Sequence, residues 1–371
     1  MVTKQPTFAI ASSKCNFEPS PGSMNRIVLL LLACSTIGVA AAQQRNLEVG
    51  IASGVTHYYG DLGNYDGAMQ WNSARPGVTI TFRDFLNNKK RYITRSLTTE
   101  VRMSWFRTGY EERDPIKGVE YNELRNYKRG LGFRNDLFGM SGHLVLNAYR
   151  EPYQPLFQQR FFMYFHIGLG VYYGRPKADL FNGSADTLNR YHFWDDGTVR
   201  DGEELPGSSA NVIERDGKYE TDLLEWQTEG GIGAGEVGRR YRLSPWHIAM
   251  PMGFGVRYML TKQVSLGMEY SYIMFTDDHL DDVSDRYSTF DEISQAYPGD
   301  PHRQAMARYI SDPTGDGTDG TTGVFTSQRG NPGLLDAISF LNFEVSYKFK
   351  RGIGRRSFLS FRKDKKNITM K

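Results

Sequence analysis

The chain has 371 residues, of which 39% are hydrophobic and 13% aromatic, with a formal net charge of +3. So low a net charge with so many aromatic residues excludes a disordered chain. Outside one segment near the N-terminus there is no apolar run of about 18 residues or more, which excludes a helical membrane protein. A β-rich protein, either soluble or in an outer membrane, is left open.

Residues 1–42 contain a signal for secretion. Met24-Asn25-Arg26 precedes an apolar run at 27–33, and small residues follow at Ala40 and Ala42. This order is typical of a signal peptide, so we expect translation to start at Met24, after an upstream extension, and cleavage to follow Ala42. The alternative is lipoprotein cleavage before Cys34. Because both cysteines precede Ala42, the mature chain 43–371 would contain no disulfide.

Eight segments alternate apolar and polar residues with a period of two, as β-strands with two different faces do. They lie at about 47–56, 78–83, 97–105, 131–146, 163–171, 248–258, 264–272 and 341–349. Most are long enough to cross a bilayer as tilted strands of about 9–11 residues. Their connections alternate in length. Short ones are 86–92, 148–157 and 261–263, and long ones are about 61–75, 107–128, 174–245 and 277–335.

This pattern predicts an all-β fold over residues 43–349, an eight-stranded antiparallel transmembrane β-barrel with long extracellular loops and short periplasmic turns. The alternative is a soluble β-sandwich or a lipocalin-like barrel, whose strands also alternate. The apolar face is rich in aromatic residues and Met, whereas the other face carries Gly, Ser, Thr and charges. This contrast favours a barrel in the outer membrane of a Gram-negative bacterium, with lipid around it.

Charged residues on the polar face should point into the barrel, since an eight-stranded barrel is just wide enough for side chains to fill it. The predicted lumen network consists of Glu100, Arg102, Arg257, Glu269 and Glu344. Opposite charges in this low-dielectric space would neutralise one another and close the lumen. A pore is therefore not expected. His166 and Lys348 should also face inward.

The last 22 residues, 350–371, contain nine Lys and Arg residues and one acid, Asp364. With an even number of strands, this basic tail should emerge on the periplasmic side, like the N-terminus. A cationic arm of this kind favours contact with an acidic protein surface. The alternative is a tail that only lies near anionic lipid headgroups.

Two acidic stretches follow the seventh segment, and carboxylates at this density suit Ca²⁺, which takes six to eight oxygen ligands. The candidate ligands are Asp277, Asp281, Asp282, Asp312 and Asp316. Neither stretch has the closing Glu of an EF-hand. Two alternatives stay open. The aspartates could cap backbone N–H groups in turns, or they could pair with Arg329 in the following loop.

No pattern for catalysis or cofactor binding emerges from the sequence. Residues 233–238 spell G-x-G-x-x-G, but they neither follow a buried strand nor open an amphipathic helix, so they predict a flexible loop. The seven histidines show no metalloprotease spacing and no close pair. We therefore predict no enzymatic activity, no cofactor and no nucleic-acid partner, and the sequence identifies no small-molecule substrate.

Several stretches together resemble a known family. They are Tyr58-Tyr59-Gly60-Asp61-Leu62, residues 165–178, Thr228-Glu229-Gly230, residues 250–258, residues 275–284 and Arg329-Gly330-Asn331-Pro332. They resemble the PorG-like outer-membrane barrel family of Bacteroidota, which is linked to the type IX secretion and gliding apparatus. The most specific residues are Thr276, Asp277, Leu280, Asp281, Asp282, Val283 and Ser284, together with Arg329 and Gly330.

The resemblance covers most of residues 46–349 and implies a function. The barrel would be an accessory, anchoring component of a type IX secretion assembly, with periplasmic protein partners. The alternative from the residues themselves is a free-standing surface barrel whose long loops, 174–245 and 277–335, bind a glycan, a lipid or a protein.

Overall fold

The computed structural model describes residues 47–63, 73–85, 96–112, 129–148, 160–194, 198–229 and 243–349. The predicted signal peptide, the loop at 233–238 and the basic tail at 350–371 lie outside these residues. No helix in the described part of the chain is long and apolar enough to span a membrane.

Eight strands form one closed sheet. They are β1 Leu47–Tyr59, β2 Arg75–Phe85, β3 Leu97–Glu111, β4 Gly132–Asn147, β5 Phe161–Tyr173, β6 Trp246–Met259, β7 Val264–Phe275 and β8 Ala337–Lys348. Each strand pairs antiparallel with the next, and β8 pairs back with β1, with Glu48 opposite Lys348 and Tyr59 opposite Ala337. The predicted closed eight-stranded antiparallel barrel is confirmed.

The long connections lie at one end of the barrel because consecutive strands run in opposite directions. We call this the loop end and number its connections loop 1 (60–74), loop 2 (112–131), loop 3 (174–245) and loop 4 (276–336). The short connections 86–96, 148–160 and 260–263 lie at the other end, the turn end. The strands reach further toward the loop end than their alternation predicts. Strand β3, for example, continues to Glu111, inside the predicted 107–128 connection.

The two faces of the barrel wall differ as a period of two requires. Apolar side chains such as Ile51, Phe254 and Phe343 point outward and are 60–66% exposed. Inward side chains are buried, and the interior changes character along its length. Near the turn end it holds charged residues, whereas near the loop end it is an apolar core that includes Phe106, Leu137 and several others. The sequence pattern predicted charges in the lumen but not this apolar half.

Loops 3 and 4 carry secondary structure that the period of two could not predict. Loop 4 contains helix α1 (Phe290–Ala296) and helix α2 (Pro301–Ser311). Helix α1 begins with a capping box between Thr289 and Glu292, and α2 begins with Asp300 as its N-cap and a proline in its first turn. These are ordinary start signals for helices. Loop 3 contains two-residue strands at Lys177–Ala178, His192–Phe193, Val199–Arg200 and Thr221–Asp222.

Candidate functional site

A network of ion pairs fills the turn-end half of the lumen, and Arg83 on β2 is its centre. The Arg83 guanidinium is fully buried and contacts three carboxylates. Its Nη1 lies 2.6 Å from Glu48 Oε1, its Nη2 lies 2.9 Å from Glu344 Oε2, and its Nε donates to Glu100. Strands β1, β3 and β8 supply these acids, so one cation joins four strands.

A second arginine carries the network across the lumen. Arg102 on β3 donates to Glu100 at 2.8 Å and to Glu269 on β7 at 2.6 Å. The hydroxyl of Tyr164 also donates to Glu269, at 2.9 Å. Arg257 lies over the Tyr164 ring at 4.5 Å, and its Nη2 is 3.7 Å from Glu344. Because β3 and β7 are not neighbours in the sheet, these contacts bridge the interior of the barrel.

The structure therefore places all five residues of the predicted lumen network together. The prediction omitted Arg83, the central residue, and Glu48, although both lie on the inward, polar face of their strands. Lys348 lies half-buried at the end of β8. Four glutamates and three arginines make up the network, so the charges nearly cancel. Removing one partner of such a buried set leaves an uncompensated charge, which costs far more than a surface ion pair.

Two histidines on the neighbouring strands β4 and β5 meet in the middle of the lumen. The ring nitrogens Nδ1 of His143 and His166 lie 3.1 Å apart. His143 also contacts the hydroxyl of Ser141 at 2.8 Å, and His166 contacts Ser271 at 3.2 Å and Glu269 at 3.3 Å. All of these side chains are buried. The contact between Ser141 and His143 therefore belongs to the packed interior of the barrel.

A second group of buried charges closes the loop end. We call it the loop-end cluster. It comprises Tyr58, Asp61, Arg129, Glu229, Asp278, Asp281, Asp282, Arg329 and Asp336. Six carboxylates and two guanidinium groups, none more than 8% exposed, thus share one region above the apolar half of the lumen.

Arg329 joins loops 3 and 4 within this cluster. Its Nη1 lies 3.0 Å from Glu229 Oε1 and also donates to the backbone carbonyl of Asp282, and its Nη2 lies 3.6 Å from the Asp282 carboxylate. Glu229 in turn accepts hydrogen bonds from the backbone N–H groups of Ser284 at 2.9 Å and Asp285 at 2.6 Å. The pairing of Arg329 with an acidic loop was one alternative to calcium binding, and the structure contains such a pair.

Arg129 joins the remaining loops. Its guanidinium donates to the backbone carbonyls of Asp61 at 3.1 Å and Arg329 at 2.5 Å, and to the carboxylate of Glu112. The carboxylate of Asp61 accepts a hydrogen bond from the backbone N–H of Asn331 at 2.8 Å. Residues of all four loops are thus connected through two buried arginines.

Tyr58 lies between two carboxyl groups of the cluster. Its hydroxyl oxygen is 2.5 Å from Asp281 Oδ2 and 3.1 Å from Asp336 Oδ1. A phenol has one proton to donate, so the Tyr58 hydroxyl shares its proton between two carboxyl acceptors. Burial raises the pKa of Asp281 to about 7 and that of Asp278 to about 8, and burial with nearby carboxylates raises the pKa of Asp336. The cluster therefore holds protons at neutral pH.

The five calcium candidates occupy different settings. Asp281 and Asp282 belong to the loop-end cluster, whereas Asp277 contacts His247 Nδ1 at 2.7 Å. Asp312 accepts hydrogen bonds from the backbone N–H groups of Gly315 and Gly317 at 3.2 Å each, and Asp316 is exposed. Asp312 thus serves as the turn cap that was the alternative to a metal ligand. Calcium binding by these residues stays a prediction.

Loop 3 contains a group of acidic residues that lie closer together than the calcium candidates and that the sequence did not predict. Within the described ranges, carboxylate oxygens of Asp179, Asp216 and Glu220 all lie within 4.8 Å of one another. These acids anchor the loop backbone. Glu220 accepts from the N–H groups of Leu180 and Phe181 at 3.0 Å, and Asp179 accepts from that of Gly217 at 2.8 Å. Their spacing in the sequence gave no sign of this proximity.

Four of the six stretches that carry the family resemblance contribute residues to the loop-end cluster, and the other two, residues 165–178 and 250–258, lie mainly in strands β5 and β6. Leu280 and Val283 are buried in the apolar core beneath it, and Thr276 donates to the carbonyl of Ile248 at 3.1 Å. At Gly330 the chain passes so close to Asp61 and to the backbone of Ser284 that a Cβ would overlap both. Residues of four stretches, between positions 58 and 332, therefore lie together at the loop end.

No protein-family model matches the chain, and neither does any curated protein. Among solved structures it is similar to Neisserial surface protein A, with 9% identity, 83% of this chain and 99% of that chain covered, and a TM-score of 0.27. It is also similar to Ail, the attachment invasion locus protein of Yersinia pestis, with 7% identity, 82% and 98% coverage, and a TM-score of 0.29. A major outer membrane protein from Thermus thermophilus has 10% identity, 83% and 100% coverage, and a TM-score of 0.29. The fold rests on the closed strand pairing described above.

Proposed function

We propose that the protein is a non-catalytic β-barrel of a Gram-negative outer membrane. The observation that carries the proposal is the apolar outer wall of the barrel. Large apolar side chains on every barrel strand are exposed, among them Met103, Met140 and Leu169 at 54–60%. A soluble protein rarely exposes a contiguous apolar patch beyond a few hundred Å². A closed barrel also satisfies its backbone hydrogen bonds internally, as a lipid environment requires.

Aromatic side chains at both ends of this wall support the same proposal. At the loop end, the exposed rings of Tyr173 and Trp246 meet edge to face, with their centroids 5.1 Å apart. At the turn end, Tyr347 and Phe349 form a similar pair at 5.0 Å. Transmembrane barrels typically carry a girdle of aromatic residues at each of the two lipid–water interfaces.

The role proposed for this barrel is that of an accessory, anchoring component of a type IX secretion assembly of Bacteroidota. Its support is the family resemblance, some of whose residues meet in the loop-end cluster, and the charge of the tail. Strand β8 ends at the turn end with Lys348, so the chain continues from that end into the nine cations of 350–371. A cationic segment on the periplasmic side would dock an acidic partner, and salt would weaken the contact.

The experiment compares the full chain with a truncation that lacks residues 352–371. Because β8 is intact in the truncated chain, we expect it to fold, which is measured as a heat-modifiable shift on gels. Periplasmic partners are crosslinked in intact cells and purified with the barrel at low and high salt. We expect the full chain to retain partners that the truncation loses. A folded truncation that retains every partner would disprove the role of the tail.

One observation favours the second candidate function, a surface barrel that binds a ligand through its loops. The described parts of loops 3 and 4 pack together at the loop end and line a cavity there. This candidate does not require the tail.

A further inference from the structure

A cavity of about 550 Å³ lies between loops 3 and 4. One side of helix α2 forms part of its wall, with Gln304, Ala305 and Arg308. The rest of the wall includes residues 190–193 and 203–204 of loop 3. The volume lies within the range of about 300–1,000 Å³ that is usual for ligand pockets.

Hydrogen bonds hold the two walls in place. The hydroxyl of Tyr309 on α2 lies 2.8 Å from the carbonyl oxygen of Leu180 and 3.0 Å from that of Tyr191, so its proton is shared between two loop 3 acceptors. The Tyr309 ring also packs edge-on against Phe181 at 5.3 Å. Asp300 caps α2 by accepting from the N–H of Arg303 at 2.9 Å. A ligand would therefore meet a cavity that is already formed, and little ordering would oppose binding.

The lining combines charges of both signs with aromatic rings. Arg190 pairs with Glu203 on one wall. On the other, the Arg308 guanidinium lies 4.1 Å from the centroid of the Phe290 ring, and within the described part of the chain it makes no ion pair. A lipid tail would cover the Arg308 guanidinium, which makes no ion pair within the described residues, and taking an unpaired charge out of water is costly. A polyanion would meet the carboxylate of Glu203.

We infer that this cavity binds a short oligosaccharide of little net charge. Each sugar hydroxyl both donates and accepts hydrogen bonds, so it can satisfy a carboxylate and a guanidinium in the same site. The C–H faces of the rings can cover the aromatic side chains Phe193 and Phe290, as the apolar lining of a ligand pocket does. The inference rests on the second candidate function, ligand binding by the loops, and is independent of the anchoring role, because the cavity lies at the loop end and the tail follows the turn end.

The test uses the full-length protein in lauryldimethylamine oxide, a detergent without a sugar headgroup. The protein is first applied to a printed panel of neutral oligosaccharides, and maltotriose, cellotriose and chitotriose are then titrated in solution by calorimetry. We expect saturable binding of at least one sugar. Ala305→Trp fills the cavity and should weaken binding at least about tenfold. His302→Trp adds the same side chain to α2 at an exposed position outside the cavity and should leave binding unchanged.

Arg308→Ala serves as a second variant in case the tryptophan disturbs the packing of loops 3 and 4, and it too should weaken binding. Folding of every variant is checked by heat-modifiable migration. Three results would overturn the inference: no sugar of the panel binds, Ala305→Trp and Arg308→Ala both bind as the parent does, or peptides bind in the cavity and sugars do not. None of these results bears on the tail, so the anchoring role is tested separately.

Discussion

Replacing Arg83 with methionine should destabilise the barrel more than any other single change in the lumen network. Methionine fills much of the same space but removes the cation that contacts Glu48, Glu100 and Glu344. Arg102 still lies 2.8 Å from Glu100, and Arg257 still lies 3.7 Å from Glu344.

The magnitude follows from what is left behind. The network would keep four buried glutamates and only two arginines, and the Arg83 side chain that it loses is fully buried. Breaking a buried ion pair by removing one partner costs about 3–5 kcal/mol. Because two of the three carboxylates keep another arginine nearby, we expect the loss to stay within this range.

The assay is urea-induced unfolding from phospholipid vesicles, followed by tryptophan fluorescence and by heat-modifiable migration. The matched control is Arg107→Met on β3. Arg107 pairs with Asp136 at 2.8 Å, but these side chains are 35% and 30% exposed. Partly exposed pairs contribute about 0–1 kcal/mol, so this variant should change the free energy of unfolding little.

The reasoning would be refuted if Arg83→Met cost no more than Arg107→Met. A rescue variant covers the case in which Arg83→Met does not fold. Adding Glu48→Gln removes the carboxylate that has lost its arginine, and this should recover at least about 1 kcal/mol. A double variant that is less stable than the single one would show that the uncompensated charge is not the cause.

Three further results are expected. Planar-bilayer recordings should show no steady nanosiemens conductance, because the lumen is packed, and stable channels would contradict this. The raised pKa values of Asp281, about 7, and Asp278, about 8, should stabilise the loop end fully below about pH 4 and progressively less as the pH rises through 7–8. Proteolysis of the loops should therefore speed up with pH, and less so in Asp278→Asn. An equal pH dependence in both proteins would contradict the assignment. Gly330→Ala should cost about 1–3 kcal/mol and expose the loops to protease, whereas Gly142→Ala, whose Cβ would meet open space, should not.

The sequence by itself determined the barrel. A period of two fixes which residues share a face, and the alternation of short and long connections requires consecutive strands to run in opposite directions. The inward charges could be predicted for the same reason, because Glu100, Arg102 and Glu269 each alternate with the apolar residues of their strands. The helices of loop 4 also had local signals, the capping residues Thr289 and Asp300, but a search for period-two alternation does not detect them.

Only the tertiary structure decided which of these residues meet. Arg83 became the centre of the lumen network because closure of β1 on β8 brings Glu48 and Glu344 to it from opposite ends of the chain. The loop-end cluster and the cavity arise in the same way, from loops whose positions are set by the strands that carry them. Contacts such as that of Tyr58 with Asp336 join residues 278 positions apart. A local pattern reports the face on which a side chain lies, whereas its partner depends on how the whole sheet closes.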